Sequence, residues 1–215
     1  PALAQLLDCL DGAGNGPEQT VVIDGNASGA CERICAERQC LYVALQPNRG
    51  RQLDAGATAA TGDVLWFLHA DSVPPAEGAE LIRRRVSAGY VGGYFDFAFT
   101  GQQRWYKNAL STSINLRARF GTPYGDQGLF VARDAYHQSA GYAPTPLFEE
   151  VRLVRSLRRM GPFGRVDAAI GVSPRRWERD GWVRRTLNNR LMALGYLVGV
   201  SPQRLARHYH STASR

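Results

Sequence analysis

Gly62-Asp63-Val64-Leu65-Trp66-Phe67-Leu68-His69-Ala70-Asp71-Ser72-Val73-Pro74-Pro75 is the stretch whose reading decides the fold. Val64 to Leu68 is a short continuous apolar run. A turn signal, Thr61-Gly62-Asp63, precedes it and two prolines follow, the pattern of a strand buried on both faces. His69, Asp71 and Ser72 then fall at that strand's carboxyl end, where open α/β sheets hold their ligands. The same residues also read as an Asx turn ahead of Pro74 with His69 tucked into the loop.

Working outward, the segments on the amino side alternate between the two periodicities. Leu3, Leu6, Leu7 and Leu10 give residues 1–10 helical spacing, and a Gly-rich loop follows to Pro17. Thr20 to Ile23 reads as a β-branched strand ending at Asp24-Gly25-Asn26, Gly29 to Arg38 as a helix, and Leu41 to Leu45 as a second strand. Arg49-Gly50-Arg51 opens a helix of small residues running to Ala60. Two arginines at a helix amino terminus suit a phosphate, but a solvated basic turn is the more ordinary use of such a pair. This alternation predicts a parallel, doubly wound sheet.

On the carboxyl side the pattern loosens. Ala76–Ala88 and Arg104–Phe120 read as helices around a strand, or strand pair, over Tyr90–Thr100. Gly125-Asp126-Gln127-Gly128 is a turn into the strand Leu129–Val131. The proline-rich loop Tyr142–Pro146 delivers Glu149 and Glu150 to the start of a helix. Two acids there complement the helix dipole, and they also suit acid/base or metal chemistry. Val166–Val172 reads as the last strand and Ser173–Trp177 as a turn. Trp182–Val200 is expected as a basic amphipathic helix, suited to a membrane surface, to a partner, or to packing back on the domain.

Composition narrows the classes. With 215 residues, 44% apolar and 21% charged, the chain is long enough for one substantial core and is not of disordered composition. A net charge of +7 favours a polyanionic partner: a nucleoside diphosphate, a nucleic acid or an anionic membrane. Cys9, Cys31, Cys35 and Cys40 lack zinc-site spacing and read as free thiols in a reducing compartment. No stretch has the form of a signal peptide, and no apolar run reaches the ~18 residues that span a bilayer. The expected location is therefore cytoplasmic, peripheral to the inner face of the membrane.

Taken in order, Asp24-Gly25, Gly50 to Gly56, and Gly62-Asp63 through Leu68-His69-Ala70-Asp71 resemble the nucleotide-sugar half of family 2 glycosyltransferases. Gly125-Asp126-Gln127-Gly128, Pro146 to Val151 and Ser173 to Glu178 are similar to a bacterial branch associated with radical-SAM and selenium-related genes. The resemblance implies an α/β GT-A fold: a Rossmann-like, mostly parallel mixed sheet flanked by helices, with the basic amphipathic helix at the carboxyl end. Residues 1–75 would be the nucleotide-sugar half, 76–172 the acceptor half and 173–215 a helical extension of one domain.

The same resemblance implies a metal-dependent inverting transfer from a UDP- or GDP-sugar to an acceptor hydroxyl. Asp71 matches the last acid of an Asp-X-Asp motif that holds Mn2+ or Mg2+. His69 stands in place of the first acid, as a metal ligand, a sugar contact or a turn former, and His208 or His210 would close the metal site from the tail. Asp24, Gly25, Arg51, Asp54, Ala70 and Asp126 would line the nucleotide-sugar site. Glu150 matches the general base, with Glu149 as the second candidate. Members of the family begin with a strand that sits inside the sheet and contacts the base, whereas residue 1 here falls at the following helix; either that strand lies upstream or the sheet is built differently. The competing readings are a nucleotidyltransferase, which would release pyrophosphate, and a non-catalytic binder of anionic lipid or nucleic acid. On the transferase reading no nucleic-acid partner is expected.

Overall fold

The computed structural model describes residues 2–12, 14 and 16–213, with side chains through residue 207. Helix α1 (Ala2–Asp11) turns Leu6, Leu7 and Leu10 inward, as its leucine spacing predicts. Strands β1 (Val21–Asp24) and β2 (Leu41–Ala44) pair in parallel around α2 (Gly29–Glu37). Ser28 caps α2, its hydroxyl accepting from the Cys31 N–H at 3.1 Å. Asn48 does the same for α3 (Arg49–Ala59), accepting from the Arg51 N–H at 3.0 Å. Each cap satisfies a donor that the first helical turn leaves unpaired.

The second part of the chain builds a separate five-stranded sheet. Its elements are β3 (Val64–Trp66), β4 (Ser72–Val73), α4 (Gly78–Ser87), β5 (Gly92–Phe99), α5 (Trp105–Phe120), β6 (Phe130–Ala132), α6 (Arg133–Gln138), α7 (Glu150–Met160) and β7 (Phe163–Val172). The strand order is β3-β6-β5-β7-β4. β5 and β7 form the long parallel ladder, from Gly92↔Phe163 to Phe99↔Val172, and the shorter β3·β6, β5·β6 and β4·β7 ladders are antiparallel. The sheet is mixed, with its longest pairing parallel.

Successive strand residues point to opposite faces, so neighbouring Phe130 and Val131 seed two core layers. Phe130 packs with Ile82, Phe95, Val166 and Ile170 under α4. Val131 packs with Leu65, Leu153 and Leu157 under α7. Leu153 and Leu157 are fully buried, and truncating either to alanine would cost about 2–5 kcal/mol.

One expectation changes at the stretch that opened the reading. β3 is not buried on both faces along its length: Leu65 is, while Val64 and Trp66 are only partly covered. Among the described residues β3 pairs with β6 alone and β1 with β2 alone. Between their outer edges runs a cleft of about 400 Å3, lined by Val21–Ile23, by Val64–Leu68 and by the leucines of α1. The parallel sheet expected to be continuous from residue 20 to residue 68 is therefore two sheets, with room for an extended segment between them.

Two smaller expectations also change. Ser173–Trp177 is not simply a turn, because Pro174 opens α8 (Arg175–Asp180). Proline suits such a start, since its missing N–H is one that a first turn leaves unpaired anyway. The helix expected over 182–200 is α9 (Trp182–Leu197), and the tail continues as α10 (Pro202–Ala213). α10 places Leu205 against Gly195 of α9.

Candidate active site

A pocket of about 530 Å3 opens where β3, β7, α7, α8 and α9 converge. It draws acids and bases from distant parts of the chain. His69, Asp71, Asp126, Glu149 and Glu150 line it, together with Arg49, Tyr124, Arg175, Arg176, Arg179 and Arg185.

Two local devices place the carboxylate pair. Phe148 holds a positive φ of 58°, a strained conformation for a side chain of that size. Its ring stacks on Tyr196 with centroids 4.5 Å apart, and the strained turn delivers Glu149 and Glu150 into the first turn of α7. The Ala143 N–H then donates to the Glu149 carbonyl at 3.0 Å, closing the proline-rich loop. That loop presses on Gly50, where any Cβ would lie 1.8 Å from the Ala143 oxygen, so only glycine lets α3 approach.

The approach of α3 brings Arg49 to the acids. Arg49 Nε lies 2.5 Å from Glu149 Oε1, and Arg49 Nη2 hydrogen-bonds His69 Nε2. Gly125 leaves space for this contact, since a Cβ there would stand 2.7 Å from Arg49 Nη2. Burial, followed by the neighbouring Arg49 and Arg176 charges, holds the His69 imidazole well below its ordinary pKa. His69 is therefore neutral, and its Nε2 lone pair accepts from Arg49. Burial opposes the Arg49 charge, but Glu149, Glu150 and Asp126 outweigh it and raise the guanidinium pKa.

Glu150 has the most perturbed acid of the group. Burial first, and the neighbouring Glu149 charge second, push its carboxyl up to about 8. Its Oε1 accepts from the Gly125 N–H at 3.3 Å, while Oε2 is buried with no hydrogen-bond partner among the described residues. Burial also raises Glu149 and Asp126, in both cases against the pull of Arg49. Asp126 Oδ1 is likewise buried and unpartnered among the described residues. Buried acceptors without donors are costly, and both residues line the pocket that a ligand would fill.

Asp71 is more open, its side chain 43% exposed and 3.6 Å from Arg175 Nη2. Among the described residues no group of three His, Cys, Asp or Glu side chains forms a metal cage. Asp71, the open carboxylate at the strand end, is the residue that would hold a divalent cation, since Mg2+ is commonly bound through one or two carboxylates together with substrate phosphates. The side chains of His208 and His210 lie outside the described residues.

Other expected site residues lie elsewhere. The Asp24 carboxylate accepts from the Asn26 and Ser28 N–H groups, each at 2.8 Å, and from Tyr42 Oη at 3.2 Å. It ties off the end of β1 outside the pocket, with Gly25 packed beside the Gln52 side chain. Asp54 accepts from Tyr136 Oη at 2.8 Å, and Arg51 faces solvent. Ala70 lines the cleft between the sheets, which meets the pocket at Arg49 and His69. Of the two arginines in the first turn of α3, Arg49 is the one that lines the pocket. Arg175 and Arg176 belong to a motif legible in the sequence, whereas Arg185 stood out there only as one arginine of the basic face of the 182–200 helix.

Residues 2–142 match the model of glycosyl transferase family 2. The chain belongs to this family. Solved structures similar to it include glucosyl-3-phosphoglycerate synthase from Mycobacterium tuberculosis in complex with phosphoglyceric acid, at 17% identity and a TM-score of 0.56 over 80% of this chain and 66% of that one. The same enzyme with Mn2+, UDP-glucose and phosphoglyceric acid gives 16% identity and a TM-score of 0.57, over 80% of this chain and 65% of that one. A mannosyltransferase from Pyrobaculum calidifontis, in complex with GDP-mannose and Mn2+, gives 13% identity and a TM-score of 0.56, over 80% of this chain and 52% of that one. The chain thus spans about two thirds of the mycobacterial enzyme and about half of the archaeal one. No curated protein matches it in sequence. The family match ends before Glu149, so the carboxylate pair and the α8–α9 wall of the pocket lie beyond the matched region.

Proposed function

We propose that this family 2 glycosyltransferase moves a sugar from a UDP- or GDP-sugar to an acceptor hydroxyl with inversion, Glu150 acting as general base. The observation that carries the reading is Glu150 itself: a residue lining the pocket, one oxygen fixed by the Gly125 N–H, the other buried without a partner among the described residues, and a carboxyl pKa raised to about 8. A base must take the acceptor's proton as the hydroxyl attacks the anomeric carbon from the face opposite the diphosphate. A carboxylate poised near neutrality is matched to that task.

The other groups divide the remaining work. Arg49 holds Glu149 and His69 in place, so Glu149 is the partner that raises Glu150 rather than a second base. Arg175, Arg176 and Arg179 give the pocket a cationic wall for the donor's phosphates. Asp71 is the residue that would hold Mn2+ or Mg2+. Such a cation, when bound, offsets the negative charge that builds on the departing diphosphate.

This reading gives the donor to residues 1–75 and the acceptor to residues 76–172, with 173–215 closing the pocket. The motifs at 125–128, 146–151 and 173–178 support the narrower placement in the bacterial branch. A peripheral contact with the inner face of a membrane through residues 182–200 completes it. A thermal-shift screen of nucleoside diphosphate sugars with and without Mn2+, followed by product analysis, tests the proposal. Release of a nucleoside diphosphate and a product of inverted anomeric configuration is expected. Pyrophosphate release, or a retained configuration, would overturn it.

A further inference from the structure

Helix α9 has two different long sides. Its inner side, through Arg185, Asn189 and Met192, walls the pocket. Its outer side carries Val183, Leu187, Leu191, Leu194, Leu197 and Val198, all largely exposed, Leu197 to 77%. At about 100° per residue these fall in one stripe. Soluble surfaces scatter such residues singly and seldom align six of them.

α5 extends the stripe sideways. Arg190 Nη2 donates to Ser113 Oγ at 2.7 Å, and the Tyr106 and Trp182 rings lie 4.8 Å apart, so the helices run side by side in the same direction. α5 exposes Trp105 to 81% and Phe120 to 84%, with Leu116 between them. Tyr106 and Ser113 lie on one flank of this second stripe, and Trp182 and Arg190 on the facing flank of the first. Both stripes therefore open on the same side of the helix pair.

Charge identifies what covers this face. No Asp or Glu occurs in residues 97–125 or in residues 181–215, which hold four and six Lys or Arg. Arg184, Arg190 and Arg119 edge the apolar stripes. An apolar band with aromatic residues, on two helices that carry cations and no acids, is complementary to an anionic bilayer surface. Among the described residues no helix is long and apolar enough to cross a membrane, so the geometry is that of helices lying in the interface plane.

We infer that the paired faces of α5 and α9 dock on an anionic lipid surface, setting the pocket behind α9 at the membrane. This rests on the transfer reading only for what the pocket does there; docking itself requires no nucleotide.

Sedimentation with vesicles of phosphatidylcholine alone, or with about one third phosphatidylglycerol, tests it on the whole chain. Partitioning at least tenfold stronger onto the anionic vesicles is expected, weakening as salt screens the arginines. Leu187→Glu with Leu191→Glu should lose at least tenfold, and Arg184→Glu several-fold. These positions are exposed, and an unchanged melting temperature confirms that the variants fold. Equal binding to both vesicle types, no binding, or undiminished binding by the double variant would overturn the inference. So would a wild-type dimer that the double variant dissociates, because the face would then be a self-interface. Vesicle binding without any nucleotide-sugar thermal shift would leave docking intact and count against the transfer reading alone.

Discussion

Arg49 and Glu149 form a 2.5 Å ion pair that joins the first turn of α3 to the start of α7, some hundred residues apart in sequence. Glu149 is almost fully buried there, while Arg49 is 38% exposed and also holds His69. Removing Arg49 leaves an uncompensated buried acid. A fully buried pair broken in this way costs about 3–5 kcal/mol, and the partial exposure of Arg49 lowers the expectation to about 1–3 kcal/mol. Arg49→Ala should show that loss as a lower urea midpoint with an unchanged slope. Arg49→Lys should recover only part, because one ammonium lacks the fork that reaches both partners. A lysine variant as stable as wild type would show that the bridge does not organise the site.

The pH dependence of turnover follows from Glu150. A general base works ionised, and its carboxyl is raised to about 8 by burial and by Glu149. The acid limb of kcat/KM should therefore bend near pH 8 rather than near the ordinary glutamate value, the apparent pKa belonging to the coupled pair. Glu150→Gln keeps the shape and removes the base. It should reduce kcat by about 10²–10⁴-fold while donor thermal shifts persist. A limb near pH 4.5 would assign the base elsewhere.

Stability should carry the same signature with a defined sign. A carboxyl whose folded pKa is raised binds its proton more tightly in the folded state than in the unfolded one. Its contribution is full below the unfolded value and is lost as pH rises through the folded one, here from about 4.5 to about 8. The wild type should lose melting temperature across that window, and Glu150→Gln should flatten the fall. Asp24 works in the opposite sense: the Asn26 N–H, followed after a smaller burial penalty by the Ser28 N–H, holds its carboxyl low. Its contribution is present above the unfolded pKa and fades as pH drops through the folded one, so Asp24→Asn should matter least at acid pH. Melting curves at pH 5, 6.5 and 8 follow Glu150, and curves taken below the ordinary aspartate value of 3.8 follow Asp24.

Much of this arrangement was legible before the fold. The strand-end cluster around His69 and Asp71 and the pair Glu149–Glu150 stood out because turn residues and prolines flank them. Arg49 and Arg51 could not be told apart. They lie about 200° apart around α3, and which one faces the pocket depends on the Gly50 contact with Ala143, a tertiary event. Asp24 was expected in the nucleotide-sugar site from its strand end and Asp54 from the family motif around it. In the structure local amides and a tyrosine satisfy them. Glu150's perturbation was equally invisible, since it arises from burial that the sequence does not display. Pro174, by contrast, was a readable helix start that the turn reading of Ser173–Trp177 passed over.

The cleft between β1 and β3 makes the last prediction. The Phe67 N–H donates to the Leu129 carbonyl, and the Asp63 carbonyl accepts from the Arg133 N–H. With the two-residue period of an antiparallel ladder, Leu65 and Phe67 bond toward β6, while the Val64 and Trp66 amides point into the cleft. Two adjacent strand edges are a template for an extended segment, which would bond on both sides at once. Residue-resolved hydrogen exchange on residues 1–215 should therefore show fast exchange at Val64 and Trp66 beside slow exchange at Leu65 and Phe67. In a longer chain or with an added apolar strand peptide, protection at Val64 and Trp66 should rise toward that of their neighbours, together with the melting temperature. Slow exchange at all four positions in the free chain would mean that β1 and β3 close on each other in solution and that the cleft is not a strand site.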